Sequence, residues 1–148
     1  MRDDKIPLVI IYFSCSITGG RNDQLVYEAI VNYLLAEGNE VPTAHLALES
    51  GLREERAMEA RQVYERDTQW VKSCDALIAE VSTPSHGVGY EVAMALLLDK
   101  PVLCCYRKGS RVSKMILGNT QKNISLIAYE NANELIGAID AFLKSIST

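Results

Sequence analysis

The run Leu8-Val-Ile-Ile-Tyr-Phe13 is continuous, apolar, and rich in β-branched and aromatic residues. A strand made from it has no polar face to offer water, so both of its faces must be covered. Similar runs recur at Ala76–Val81, Pro101–Tyr106 and Ile124–Tyr129, with a shorter candidate at Glu40–His45. Helical patterns lie between them. In Arg21–Glu37 the residues Leu25, Ile30, Tyr33 and Leu34 recur near helical spacing, and Gly38 can end the helix. Glu54–Ser73 is charged, with Met58, Val63, Trp70 and Val71 on one face; Gly89–Asp99 is rich in Ala, Leu and Met. Asn131–Ile146 closes the chain, with Asn131 a suitable cap. Strand and helix alternate throughout, which predicts a parallel sheet wrapped on both faces. The expected fold is therefore α/β: a doubly wound, five-stranded parallel sheet, Rossmann- or flavodoxin-like, with strand order 2-1-3-4-5. We find no repeat and no linker, and expect residues 1–148 to form a single domain.

Composition narrows the function. A chain of 148 residues with 48% hydrophobic and 23% charged residues can build one core without staples. The net charge of −4 supplies no basic excess for nucleic acid, although it leaves room for one small anion held by local groups. No apolar run approaches the ~18–20 residues of a membrane helix. The acidic start Met1-Arg2-Asp3-Asp4-Lys5 is not a secretory signal. Cys15, Cys74, Cys104 and Cys105 form no Cys-x-x-Cys pair and read as buried free thiols in a reducing compartment. A cytoplasmic protein is expected, with the nucleus as an alternative. Two separated histidines and these cysteines do not make a zinc site.

In doubly wound sheets ligands bind beyond the carboxyl ends of the strands, near the switch in strand order. Two loops rich in Gly and Ser fall there. The first, Tyr12-Phe-Ser-Cys-Ser-Ile-Thr-Gly-Gly-Arg21, has neither Gly-x-Gly-x-x-Gly nor Gly-Lys-Ser/Thr. Its backbone could meet an anion or a sugar hydroxyl at a helix start, or it could be a plain strand-to-helix turn. The second, Ser82-Thr-Pro-Ser-His-Gly-Val-Gly-Tyr-Glu91, places Ser85, Gly87 and Gly89 where backbone can approach a phosphate.

Glu91 either complements the dipole of the helix that follows or points into the crevice. Asp67, on a charged helix, reads either as a solvated surface carboxylate or, three and four residues before Trp70 and Val71, as an acid on the inward side, where it needs a reason. Paired, the two carboxylates would suit glycosidic cleavage, one as nucleophile and the other as acid and base. Tyr12 ends strand one as a core residue or a crevice residue. His45 reads as a ligand contact or a structural histidine, and His86 as an exposed loop residue. Arg107, Lys108, Ser110 and Arg111 form a polar loop, either solvated or close enough to meet a phosphate.

Several of these pieces together resemble one family. Tyr12-Phe-Ser-Cys-Ser-Ile-Thr-Gly-Gly-Arg21 is similar to the Tyr-Phe-x-x-Ser-Ile-x-Gly-Gly-Arg opening of the 2′-deoxynucleoside 5′-phosphate N-hydrolases (the Rcl family). Asp67-Thr-Gln-Trp70, Asp75-Ala-Leu-Ile-Ala-Glu-Val81, Pro84-Ser-His-Gly-Val-Gly-Tyr-Glu91, Lys100-Pro-Val-Leu-Cys104 and Arg111-Val-Ser-Lys-Met-Ile116 continue the likeness. It spans about residues 8 to 145. The resemblance implies hydrolysis of the N-glycosidic bond of 2′-deoxynucleoside 5′-monophosphates. Glu91 would attack C1′ and form a glycosyl-enzyme. Asp67 would protonate the leaving base and later activate water. Tyr12 would orient the nucleophile or crowd the 2′ position. Ser16, Ile17, Thr18, Gly19, Gly20 and Arg21, with Ser85, Gly87 and Gly89, would hold sugar and phosphate. Ile30 and His45 would lie near the base. Ser113 would reach the phosphate of the neighbouring subunit's substrate, which implies a homodimer with a shared active site. Neither a metal nor a cofactor is implied.

The chain departs from the family pattern at Cys15, where the family has Gly, at Thr18, where it has Arg, and at Ala44, where it has Glu. Losing that Arg removes a fixed donor from the mouth of the site. Three other readings compete: a ribonucleotide hydrolase acting on CMP, a nucleoside deoxyribosyltransferase, and a nucleotide-sensing module without turnover. The loop of Ser85 lacks the extra acid a transferase would use for a free 5′-hydroxyl.

Overall fold

The computed structural model describes residues 9–17 and 23–147. Strands β1 (Ile11–Ser14), β2 (Ala76–Glu80), β3 (Val102–Arg107) and β4 (Ile124–Tyr129) form one parallel sheet in the order β1-β2-β3-β4. The register pairs Tyr12 with Leu77, Ala79 with Cys104, and Cys105 with Ile127. Side chains alternate across the sheet. Ile11, Phe13, Ile78, Leu103 and Cys105 face helices α1 (Gln24–Ala36) and α6 (Ala132–Ile146). Tyr12, Leu77, Ala79, Val102 and Cys104 face α3 (Ala60–Ser73) and α4 (His86–Leu97). The neighbours Cys104 and Cys105 thus enter opposite cores, and all four cysteines are buried and outside any disulfide.

The expected fifth strand, Glu40–His45, does not form. Pairing on that side of β1 stops at a single bridge between Ile10 and Glu40. Ile11 N–H donates to Glu40 O at 2.8 Å, and Glu40 N–H donates to Val9 O at 3.0 Å. Pro42 has no N–H to continue a ladder. The Thr43 hydroxyl takes over instead: it accepts from Phe13 N–H at 3.0 Å and donates to Phe13 O at 2.8 Å. One buried side chain satisfies both backbone groups of the β1 edge, so no further strand is needed there. The chain then turns into a short 3₁₀ segment, Ala44–Ala47, which carries His45. The four strands that do form keep their expected relative order, and the expected five-stranded sheet is corrected to four.

The expected helix Glu54–Ser73 is two helices, α2 (Glu49–Ala57) and α3. Met58 and Glu59 between them are extended, with ψ of 147° and 150°. Glu59 and Gln62 form a capping box, a start signal inside what otherwise reads as one amphipathic run. Helix α4 begins three residues before the expected Gly89, because Ser85 caps it by accepting from Val88 N–H at 3.3 Å. Gly38, at φ +88°, follows α1 as the left-handed residue a helix end favours. A short helix α5 (Lys114–Leu117) follows β3. Among the described residues no helix is long and apolar enough to cross a membrane.

Candidate active site

Tyr12 and Ser14 are two residues apart on β1, so their side chains leave the same face of the sheet. Both reach Glu91, in the second turn of α4. The Tyr12 hydroxyl donates to Glu91 Oε2 at 2.5 Å, and the Ser14 hydroxyl donates to Oε1 at 2.7 Å. Tyr12 and Ser14 are buried. Burial pushes the Glu91 carboxyl up to about 7, against the pull of these two donors; the nearby charges of Asp67 and Glu55 push the same way as burial. Burial, followed by the neighbouring Glu91, raises the Tyr12 phenol far above its ordinary range, so it stays a donor.

Asp67 approaches from α3. Its side chain is 13% exposed, and Arg66 Nε donates to its Oδ1 at 2.9 Å. Arg66 also bonds Glu55 on α2 at 3.1 Å and lies 4.9 Å above the Trp70 ring. Burial opposes the Arg66 charge, and the two carboxylates outweigh it. His45 stands edge-on to Trp70 at 5.8 Å.

Asp67 and Glu91 line one cleft of about 470 Å³, with Val63, Tyr64, Gly87 and Tyr90. A second cleft of about 510 Å³ lies on the other side of the first turn of α4 and includes Ser85, Gly89, Arg111 and Ser113. His86 and Tyr90 border both. A Cβ on Gly87 would meet only Ser85 Oγ, at 3.8 Å, and one on Gly89 would meet nothing within 4 Å. The chain's own packing therefore does not demand glycine at either position, and open space remains above the helix N-terminus.

The fold thus brings Tyr12, Asp67 and Glu91 together, and sets Ser85, Gly87 and Gly89 beside them. Ser113 caps α5, accepting from Met115 N–H at 3.1 Å, and is exposed. Ser16 is fully buried, and its hydroxyl meets no hydrogen-bond partner among the described residues. Ile17 is half-buried. Thr18, Gly19, Gly20 and Arg21 lie outside the described residues. Ile30 is fully buried in the core between α1 and the sheet, and does not reach the cleft of Glu91.

Sequence reasoning passed over Ser14, although its i, i+2 relation to Tyr12 is a readable sign. It also passed over Arg66, which adjoins Asp67 in sequence. Arg107, read there as part of a polar loop, forms an ion pair with the buried Asp23 at the start of α1. Its backbone N–H donates to Ser82 Oγ at 2.8 Å, and that hydroxyl donates to the fully buried Glu80 at 2.8 Å. Tyr129 O–H also donates to Glu80. Burial raises the Glu80 carboxyl, partly offset by these donors. This network joins the carboxyl ends of β2, β3 and β4 behind the cleft, and no single sequence motif announces it.

A parallel sheet carrying a hydroxyl-clamped glutamate, with an aspartate facing the same cleft, defines an α/β protein equipped for two-carboxylate chemistry. The chain belongs to the nucleoside 2-deoxyribosyltransferase family, whose model matches residues 11–134. The 5-hydroxymethyl-dUMP N-hydrolase of Danio rerio is 34% identical over 140 residues, covering 93% of this chain and 97% of that protein. The Mus musculus protein of the same name is 45% identical over 112 residues, covering 73% of this chain and 64% of that protein. The solved structure of the Clostridium botulinum CMP N-glycosidase BcmB shares the fold. Its TM-score is 0.68 at 21% identity, covering 90% of this chain and 98% of that one.

Proposed function

We propose that this chain hydrolyses the N-glycosidic bond of 2′-deoxynucleoside 5′-monophosphates, releasing free base and 2-deoxyribose 5-phosphate. The reading rests on one observation above all: Asp67 and Glu91 line one cleft, with Glu91 held by Tyr12 and Ser14. The names carried by the zebrafish and mouse relatives support it.

In the first half-reaction a Glu91 oxygen forms a bond to C1′ as the C1′–N bond breaks. The electron pair leaves on the base, which takes a proton from Asp67. The transition state carries positive charge on the sugar, and the adjacent carboxylate stabilises it. In the second, Asp67 takes a proton from water, the water oxygen bonds to C1′, and Glu91 departs as carboxylate. A missing 2′-hydroxyl eases formation of the cation. Tyr12, hydrogen-bonded to Glu91, would crowd that hydroxyl, which favours the deoxy substrate.

The 5′-phosphate would sit over the α4 N-terminus, held by Ser85, Gly87 and Gly89 and by the first loop, Ser16 to Arg21. His45, against Trp70, would border the base. Ser113 would serve the phosphate of the neighbouring subunit in a homodimer with a shared site. Its exposed setting beside Met115, 84% exposed, and across the cleft from Leu97, 78% exposed, supports a subunit contact there. The working unit is a single domain, and its buried thiols, none in a disulfide, suit the cytoplasm, with the nucleus as an alternative.

The test is chromatography after incubation with dGMP, dCMP, 5-hydroxymethyl-dUMP, GMP, CMP and deoxyguanosine, each with and without a second free base. Free base from the deoxynucleotides alone is expected. Release from CMP would replace the reading with a ribonucleotide hydrolase. A new nucleoside would make it a transferase, and binding without product a sensor.

A further inference from the structure

The glutamate at the centre of the site has two oxygens, and two different hydroxyls hold them. Tyr12 supplies one donor, and resemblance already suggests a role for it. Ser14 supplies the other, from 2.7 Å, and nothing else explains its place. It is a serine with 2% exposure at the carboxyl end of a strand whose other members are apolar or aromatic. A buried hydroxyl there needs a partner, and the partner it has is Glu91 Oε1.

We propose that Ser14 is a positioning residue for the reaction, its hydroxyl holding one oxygen of the Glu91 carboxylate while Tyr12 holds the other. The proposal rests on the hydrolase reading above and deepens it. A carboxylate gripped at one oxygen alone can still rotate about its Cγ–Cδ bond. Two donors rising from one strand face define the plane of the carboxylate relative to the sheet. Alignment of the attacking oxygen within a few tenths of an ångström is what such chemistry requires.

The surroundings make the second donor consequential. From α3, Asp67 faces Glu91, with Arg66 and Tyr64 on the same helix; from α2 comes Glu55; from α4 come His86 and Tyr90; from β1 comes Tyr12. Arg66 is taken up by Asp67 and Glu55. Burial and the two acids favour the protonated, non-nucleophilic form of Glu91, and the hydroxyl donors oppose it. Among the described residues, Ser14 is one of two such hydroxyls.

The experiment compares the wild type with Ser14→Ala, Ser14→Thr and Ser14→Val. The last two have nearly the same shape and differ in the hydroxyl. Glu91 is followed by 13C NMR of labelled glutamate carboxyls in the unliganded protein, its resonance identified with Glu91→Gln. In Ser14→Ala the Glu91 titration is expected to move up by about half to one pH unit, as loss of one donor to a carboxylate implies. The acid limb of kcat/KM should move with it. kcat should fall about tenfold while KM changes less than about twofold, because the phosphate cradle lies elsewhere. Ser14→Thr should restore the titration and the rate, and Ser14→Val should not. An unmoved Glu91 titration in folded Ser14→Ala would overturn the proposal, as would equal rates in the Thr and Val variants. If the wild type releases no base, the hydrolase reading fails. The NMR titration then still reports whether Ser14 controls Glu91, so the two failures are separable.

Discussion

Arg66 Nε donates to Asp67 Oδ1 at 2.9 Å, and the same guanidinium lies 4.9 Å above the ring of Trp70. Neighbours in sequence on a helix point about 100° apart, so this contact needs the long Arg side chain to fold back along the surface. The aromatic face and Glu55 hold it in that bent course. Asp67 is therefore anchored by a cation that is itself anchored.

Arg66→Ala should leave Asp67 loose and Glu55 without its cation. Loss of charged hydrogen bonds of this kind costs about 1–3 kcal/mol of stability. The rate should fall by about tenfold or more, because the acid–base role proposed for Asp67 would contribute roughly 10²–10⁴-fold and depend on placement. Arg66→Lys should recover little, since a point charge cannot reproduce the stacked, forked geometry. Urea denaturation and kcat together check this.

Glu91→Ala should abolish turnover while nucleotide binding survives, because the proposed nucleophile is lost and the helix N-terminus that would hold phosphate is untouched. Isothermal calorimetry with dGMP reads the binding, and base release reads the turnover. Full activity in this variant would sink the mechanism.

The pH profile follows from Glu91. A nucleophile must be ionised, and burial first of all raises this carboxyl to about 7. The rate should therefore fall on the acid side with a midpoint near 7, tenfold per pH unit below it. Stability carries the opposite sign. The folded protein binds this proton more tightly than the unfolded chain, whose carboxyl titrates near about 4.3. Ionising Glu91 thus costs stability as pH rises through that window, and the cost is absent at low pH. Glu91→Gln should accordingly melt higher than the wild type at pH 8, with the gap closing toward pH 4.5. Scanning calorimetry across that range measures it.

Tyr129→Phe removes a donor from Glu80, a fully buried carboxylate left with Ser82 alone among the described residues. A buried acceptor deprived of one partner costs about 1–3 kcal/mol. KM for the nucleotide should also rise, because Ser82 ties this network to the loop that leads to Ser85. An unchanged urea midpoint would show that the Tyr129–Glu80 contact contributes nothing.

If Ser113 serves the neighbouring subunit, Glu91→Ala and Ser113→Ala place their lesions in complementary chains. Mixing two inactive or weakened variants should then recover activity, as half of the sites in mixed dimers would carry neither lesion. Activity that stays at the sum of the two separate variants would place Ser113 in its own chain's site or outside the site altogether.

Much of this protein is written locally. Apolar runs longer than one sheet face could use dictated a doubly covered parallel sheet, and four of them became strands, each paired with a neighbour over four to six residues. Asp67 was readable as inward from Trp70 and Val71, and Glu91 as a crevice acid from its place after a glycine-rich turn. Both readings depend only on helical spacing and the end of the sheet at which loops converge. Tertiary structure decided the rest. Glu40–His45 has strand-like residues, yet Pro42 and the Thr43 hydroxyl end the edge at one bridge, a matter of which groups β1 leaves unsatisfied. Glu59 and Gln62 split one amphipathic run in two. The reach of Ser14 to Glu91, 77 residues away, and the pairing of Asp23 with Arg107, 84 away, have no local signature. Spacing along the chain determines which face a side chain leaves from; only the packed sheet and helices decide which partner waits there.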